Sequence, residues 1–167
     1  MLFYQWINGI WLANADGSGA RQIIFDSEAG GAAWKPDGTK FAYYTVIPPS
    51  SNYEIRVANA DGSGVSTIAL GRRPDWSPDG TRIAFDGCIR SDCGIMVVPA
   101  VGGQAVLLTN DVGGNPAWAP DGSAIAYQMP DGPNYHIALI KPDGSGKRVL
   151  TTGIGNNALP AWAPDGV

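Results

Sequence analysis

The sequence predicts an all-β protein: a β-propeller of four-stranded antiparallel blades, with four repeats in the chain. Three observations predict it. One phrase recurs as Trp34-Lys-Pro-Asp-Gly, Trp76-Ser-Pro-Asp-Gly, Trp118-Ala-Pro-Asp-Gly and Trp162-Ala-Pro-Asp-Gly, its tryptophans 42, 42 and 44 residues apart. A fixed period near 40 residues with a tryptophan signature marks stacked repeats. The apolar runs between those phrases are short, rich in Ile, Val and aromatics, and bounded by turn residues. They are too short for an amphipathic helix and suit strands. Finally, nine aspartates precede glycine: Asp16, Asp37, Asp61, Asp79, Asp86, Asp121, Asp131, Asp143 and Asp165. Asp-Gly closes tight hairpins because Gly takes positive φ and Asp tolerates it. The net charge of −4 is therefore largely turn chemistry.

Each repeat divides into four predicted strands. The first ends at the tryptophan (32–34, 74–76, 116–118, 160–162), and a Pro-Asp-Gly turn follows. The second covers 40–44, 82–85 and 124–127, and a variable loop comes after it. The third covers 10–13, 55–58, 95–98 and 137–140. It leads into Asn-Ala-Asp-Gly-Ser-Gly at 14–19 and 59–64, a near copy at 141–146, and a departure at 99–104. The fourth covers 22–25, 66–70, 105–109 and 148–151. Four such strands per period are the signature of a propeller blade. The predicted repeats are 34–75, 76–117, 118–161, and a fourth made of 162–167 together with 1–33.

The run Trp76-Ser-Pro-Asp-Gly-Thr-Arg-Ile-Ala-Phe85, with the Ile-x-Val-x-Asn-Ala-Asp-Gly-Ser-Gly segment of the repeat, resembles the WD-repeat-like propeller of the TolB family. The resemblance runs through the whole chain. It implies more than four blades in a ring, a periplasmic location and envelope proteins as partners. Related propellers also precede prolyl-oligopeptidase-type hydrolases, so the resemblance implies a fold more than an activity. What matches is the blade scaffold, and no partner-binding residue carries over.

Joining Val167 to Met1 would give Pro-Asp-Gly-Val-Met-Leu-Phe-Tyr, in register with Pro78 to Phe85. One blade would then take its inner strand from the C-terminal segment and its other three from the N-terminal segment, leaving no open edge. The expectations are a homodimeric eight-bladed ring or, less favoured, a four-bladed monomer, with a filament or a fragment of a longer chain also open.

In a propeller the Pro-Asp-Gly and Asp-Gly-Ser-Gly turns share one face. The variable loops occupy the other, and loops on a rigid frame carry recognition. Candidate binding residues near the channel mouth are Arg72, Arg73, Asp75, Asn115, Asn156 and Asn157. Tyr53, Arg90, Asp92 and Tyr135 would ring the outside. The repeated tryptophans read as structural, packed between sheets. Cys88 and Cys93, the only cysteines, flank a hairpin tip and are expected to form a disulfide, which favours an oxidising compartment.

Other chemistries find little support. The Asn14–Gly19 and Asn59–Gly64 turns open like a calcium loop, but its twelfth position holds Phe25 or Leu70 where a glutamate is needed. Two cysteines alone do not make a zinc site. No metal and no cofactor is expected. No basic run points to nucleic acid, and no apolar stretch is long enough to span a bilayer. The single histidine, His136, and the two glutamates, Glu28 and Glu54, assemble no nucleophile–base pair, and no Gly-x-Ser-x-Gly elbow is present. The sequence reads as a non-enzymatic binding scaffold acting through its variable loops. The alternatives are a self-assembly unit joined by blade completion and the propeller part of a larger hydrolase.

Overall fold

Tryptophans at one period organise four successive antiparallel sheets in the computed structural model, which describes residues 1–5, 9–49, 52–153 and 155–166. Blade one is three-stranded: β1 (Leu2–Gln5), β2 (Gly9–Leu12) and β3 (Arg21–Ile24). Blade two holds β4 (Gly30–Trp34), β5 (Lys40–Ile47), β6 (Asn52–Asn59) and β7 (Ser66–Leu70). Blade three holds β8 (Arg72–Trp76), β9 (Arg82–Ile89), β10 (Asp92–Pro99) and β11 (Val106–Leu107). Blade four holds β12 (Gly114–Trp118), β13 (Ile125–Asp131), β14 (Asn134–Ile140) and β15 (Arg148–Val149). In each four-stranded blade neighbours in sequence are neighbours in the sheet.

The core lies between blades. Along β9, Ile83 and Phe85 face blade two while Ala84 faces blade four. Along β10, Met96 and Val98 face blade two while Ile95 and Val97 face blade four. Alternation sends successive side chains to opposite faces. Both faces are covered, so these strands read as unbroken apolar runs. A third cluster joins Ile10, Ile23 and Ile24 of blade one to Phe41, Tyr43 and Ala58 of blade two.

Each inner-strand tryptophan reaches back to the preceding blade. The Trp76 indole is buried and donates from Nε1 to the Ala33 carbonyl at 3.1 Å, and Trp162 Nε1 donates to the Ala117 carbonyl at 3.0 Å. Trp118 is equally buried, but its Nε1 has no acceptor among the described residues. Its ring instead carries the Arg82 guanidinium 5.0 Å from the centroid.

Several strands differ from expectation. The second and third strands run longer, so the hairpin loops expected at 87–93 and 129–135 shrink to turns at Arg90–Ser91 and Gly132–Pro133. The ladder continues for as long as backbone partners face each other, whatever the side chains. Ser50 and Ser51 of the remaining loop, Ile154 of the last one, and Val167 lie outside the described residues. The segment around Trp162 forms no ladder with β1 among the described residues. Its indole donates to the Ala117 carbonyl of blade four, as the Trp76 indole does to the blade before it.

The two buried tryptophans make opposite predictions. Trp76→Phe keeps the ring but strands the Ala33 carbonyl, and should cost about 1–2 kcal/mol. Trp118→Phe removes an unsatisfied N–H and should cost less, or stabilise. Urea unfolding of both variants measures the difference.

Candidate recognition site

The two faces of the blades use their polar groups differently. On the turn face, Asp16, Asp37, Asp61, Asp79, Asp121 and Asp143 each accept the backbone N–H two residues on, at 2.9–3.0 Å. These bonds and those from the same Ser and Thr hydroxyls hold the carboxyls below the usual range, led at Asp37 by Lys35 and at Asp79 by the Ser77 hydroxyl. Every one of these six acids is occupied by its own turn.

One cavity, about 640 Å³, runs along the inner strands from Arg73, Asn115 and Leu159 to Pro120, with Asp75 and Tyr44 also lining it. The residue three before each tryptophan is left-handed: Gly31, Arg73, Asn115 and Leu159 have φ of 56°, 55°, 52° and 55°. The β4–β5, β8–β9 and β12–β13 registers shift at this point. A left-handed non-glycine residue costs on the order of 1 kcal/mol and persists only where its surroundings dictate it. At Gly31 a Cβ would stand 2.6 Å from the Tyr44 ring, which explains the glycine there.

Asp75 accepts the Trp118 backbone N–H at 2.7 Å. Burial outweighs this bond and pushes its carboxyl up to about 6. Asn115 donates to Gln128 Oε1 at 2.8 Å.

The second cavity, about 610 Å³, opens between blades two and three. Tyr53, Leu70, Arg72, Asp86, Arg90 and Val112 line it, together with Cys88 and Cys93. The two cysteines pair across β9 and β10 and are joined by a disulfide with Cα atoms 4.1 Å apart. Arg72 Nε donates to Asp86 Oδ2 at 2.8 Å, and Arg73 Nη1 reaches the same oxygen at 3.2 Å. The Arg72 guanidinium also lies 5.4 Å from the centroid of the Tyr53 ring.

The predicted residues thus separate into groups. Arg73, Asp75 and Asn115 meet in the inner cavity; Tyr53, Arg72 and Arg90 meet in the interblade pocket. Asp92 stands exposed at the start of β10 and lines neither. Tyr135, Asn156 and Asn157 tie a loop to its own blade: Tyr135 N donates to Asn156 Oδ1 at 3.1 Å, and Asn157 N to the Tyr135 carbonyl at 2.8 Å. Asp86 corrects the sequence reading. Grouped there with the Asp-Gly turns, it lies buried in β9 as the counter-ion of two arginines. The available signal was Arg72-Arg73 itself, since adjacent cations entering a packed sheet need a carboxylate.

Asp111 also went unread. It accepts Thr109 Oγ1 at 2.8 Å, Tyr127 OH at 2.9 Å and Lys147 Nζ at 2.6 Å, pinning the loop before β12 onto blade four. Burial raises its carboxyl, but these bonds prevail and hold it below the usual range. His136 is buried in β14, with Nε2 3.4 Å from Asp131 Oδ2 and no partner for Nδ1 among the described residues.

Successive antiparallel sheets, three of them four-stranded and one three-stranded, joined by uniform Asp-Gly turns on one face, define the chain as a β-propeller repeat module. Residues 38–167 match the TolB beta propeller domain, and the chain belongs to that family. The fold is similar to that of TolB from Acinetobacter baumannii, at 22% identity and a TM-score of 0.80 over 94% of this chain and 41% of that one. It is similar to a putative TolB from Agrobacterium tumefaciens, at 22% identity and 0.82 over 95% and 62%, and to a puromycin hydrolase, at 16% identity and 0.73 over 93% and 28%. The chain thus spans less than two thirds of each. No curated protein matches significantly. No helix among the described residues is long and apolar enough to cross a membrane.

The raised Asp75 carboxyl sets a pH dependence. The folded state holds its proton more tightly than the unfolded chain does, so its contribution to stability is full below about pH 4 and is lost as the pH rises towards about 6. Asp75→Asn keeps an acceptor for Trp118 N without the charge. The variant should match the parent at pH 4 and exceed it at pH 7.5 by up to roughly 3 kcal/mol. Thermal unfolding at the two pH values measures this.

Proposed function

We propose that the chain is a non-enzymatic recognition scaffold that binds a protein partner through the face opposite its Asp-Gly turns. The observation behind this reading is the contrast between the faces. Six turn carboxylates are consumed by their own backbone, whereas the arginines of the other face remain partly exposed over a buried counter-ion. The disulfide supports an extracytoplasmic location, in the periplasm or outside the cell. Family membership supports envelope proteins as the class of partner.

The test is site-specific photo-crosslinking in the native host. A photoreactive residue at Tyr53 or Asp92 should give protein adducts, while one at Asp37 or Asp121 should not. Adducts confined to the turn face, or none from either face, would overturn the reading.

A second reading concerns assembly and rests on a separate observation. Blade one has three strands and an open β1 edge, while the segment ending at Trp162 has an inner-strand tryptophan and no sheet partner among the described residues. The two are complementary, and a second copy could complete the blade, as a two-chain ring or a filament. The fold is equally compatible with a place in a longer chain, including one joined to a hydrolase. Light scattering on the 167-residue chain should give twice the chain mass or more, and the mass of a single chain would remove this reading.

A further inference from the structure

We infer that the pocket between blades two and three binds a carboxylate carried beside an apolar side chain, presented by a peptide segment of the partner. The inference rests on the recognition reading above and names its chemistry. Its first basis is charge. Arg72 and Arg73 converge on one oxygen of Asp86, whose side chain is only 9% exposed, while their own side chains are 42% and 39% exposed. The counter-ion lies beneath and the cations above. A guanidinium has five N–H donors, and sharing a single carboxylate oxygen uses few of them. Arg90 is exposed and lines the same pocket. The pocket is lined by two arginines, Arg72 and Arg90, and one buried carboxylate, Asp86, which the Arg73 guanidinium also neutralises from the adjoining cavity, in a chain whose net charge is −4.

The second basis is the lining. Leu70 is 60% exposed and Val112 71% exposed, and both face this pocket, beside the disulfide and the Tyr53 ring. Gly87 also lines it, and a Cβ there would crowd the Leu70 carbonyl at 2.9 Å. A cavity of about 610 Å³ accommodates a carboxylate and a neighbouring apolar side chain together. The site suits a single carboxylate better than a polyanion, which needs a track of cations along its backbone.

The test is isothermal titration of the intact chain with two probe peptides, acetyl-Phe-Glu-Leu-amide and acetyl-Phe-Gln-Leu-amide. The glutamate peptide should bind about tenfold more tightly than the glutamine peptide, and less tightly as salt is added. Arg72→Gln and Arg90→Gln should each weaken it about five- to tenfold, while Arg148→Gln, on the exposed β15, should not. Arg90 is remote from the core, so Arg90→Gln keeps the test open if Arg72→Gln unfolds. Equal binding of the two peptides, no binding of either at millimolar concentration, or unchanged affinity in both pocket variants would overturn the inference. Any of these with crosslinks still confined to Tyr53 and Asp92 would remove the carboxylate chemistry and leave the recognition face standing. Crosslinks confined to the turn face would remove both.

Discussion

The grip of each inner-strand tryptophan on the blade before it is the contact on which the rest of the structure depends. No blade has a core of its own, because a single antiparallel sheet cannot enclose its apolar side chains. Blade three hides Met96 and Val98 against blade two and Ile95 and Val97 against blade four. Trp76 fills the first of these seams near the axis, and its N–H locks onto the Ala33 carbonyl. A large ring with one polar handle buries much apolar area while meeting the demand that a buried N–H be paired. Trp118 shows the limit of that rule: its backbone N–H is taken by Asp75, and its indole N–H is left without an acceptor among the described residues.

The left-handed residue three positions before each repeated tryptophan links this packing to the inner cavity. It shifts the register at the start of the inner strand, where Arg73 and Asn115 line the inner cavity. Arg72 and Arg73 are neighbours in sequence but line different cavities, while one buried carboxylate holds both. The turn face works the opposite way: each turn satisfies its own aspartate and leaves little with which to grip a partner.

Legibility in the sequence followed the range of the interaction. The Pro-Asp-Gly and Asp-Gly-Ser-Gly turns are local, so their aspartates were readable from spacing alone. Tyr53, Arg72 and Arg90 were readable as loop-face residues because the propeller pattern assigns each connection to a face. That Tyr53, Arg72 and Arg90 share one pocket while Asp92 stands outside was not readable, since it depends on how blade two sits against blade three. Asp86 was misread because Asp-Gly inside a strand looks identical in sequence to Asp-Gly at a turn.

The sequence by itself determined the all-β class, the repeat unit, the face of each connection and the proximity of Cys88 to Cys93. These follow from periodicity and from contacts within one hairpin. Only the tertiary structure decided which strands extend to the rim, the left-handed kink shared by Gly31, Arg73, Asn115 and Leu159, the burial of Asp86 beneath two arginines, and the contact of Trp162 with blade four. The strand extensions and the Arg72–Asp86 pairing form within one blade, the Trp162 contact between its own segment and β12, and all depend on backbone pairing that side-chain pattern does not report. The four kinked residues share a position, three before a repeated tryptophan, but Gly, Arg, Asn and Leu share no side-chain chemistry that would mark a left-handed backbone in advance.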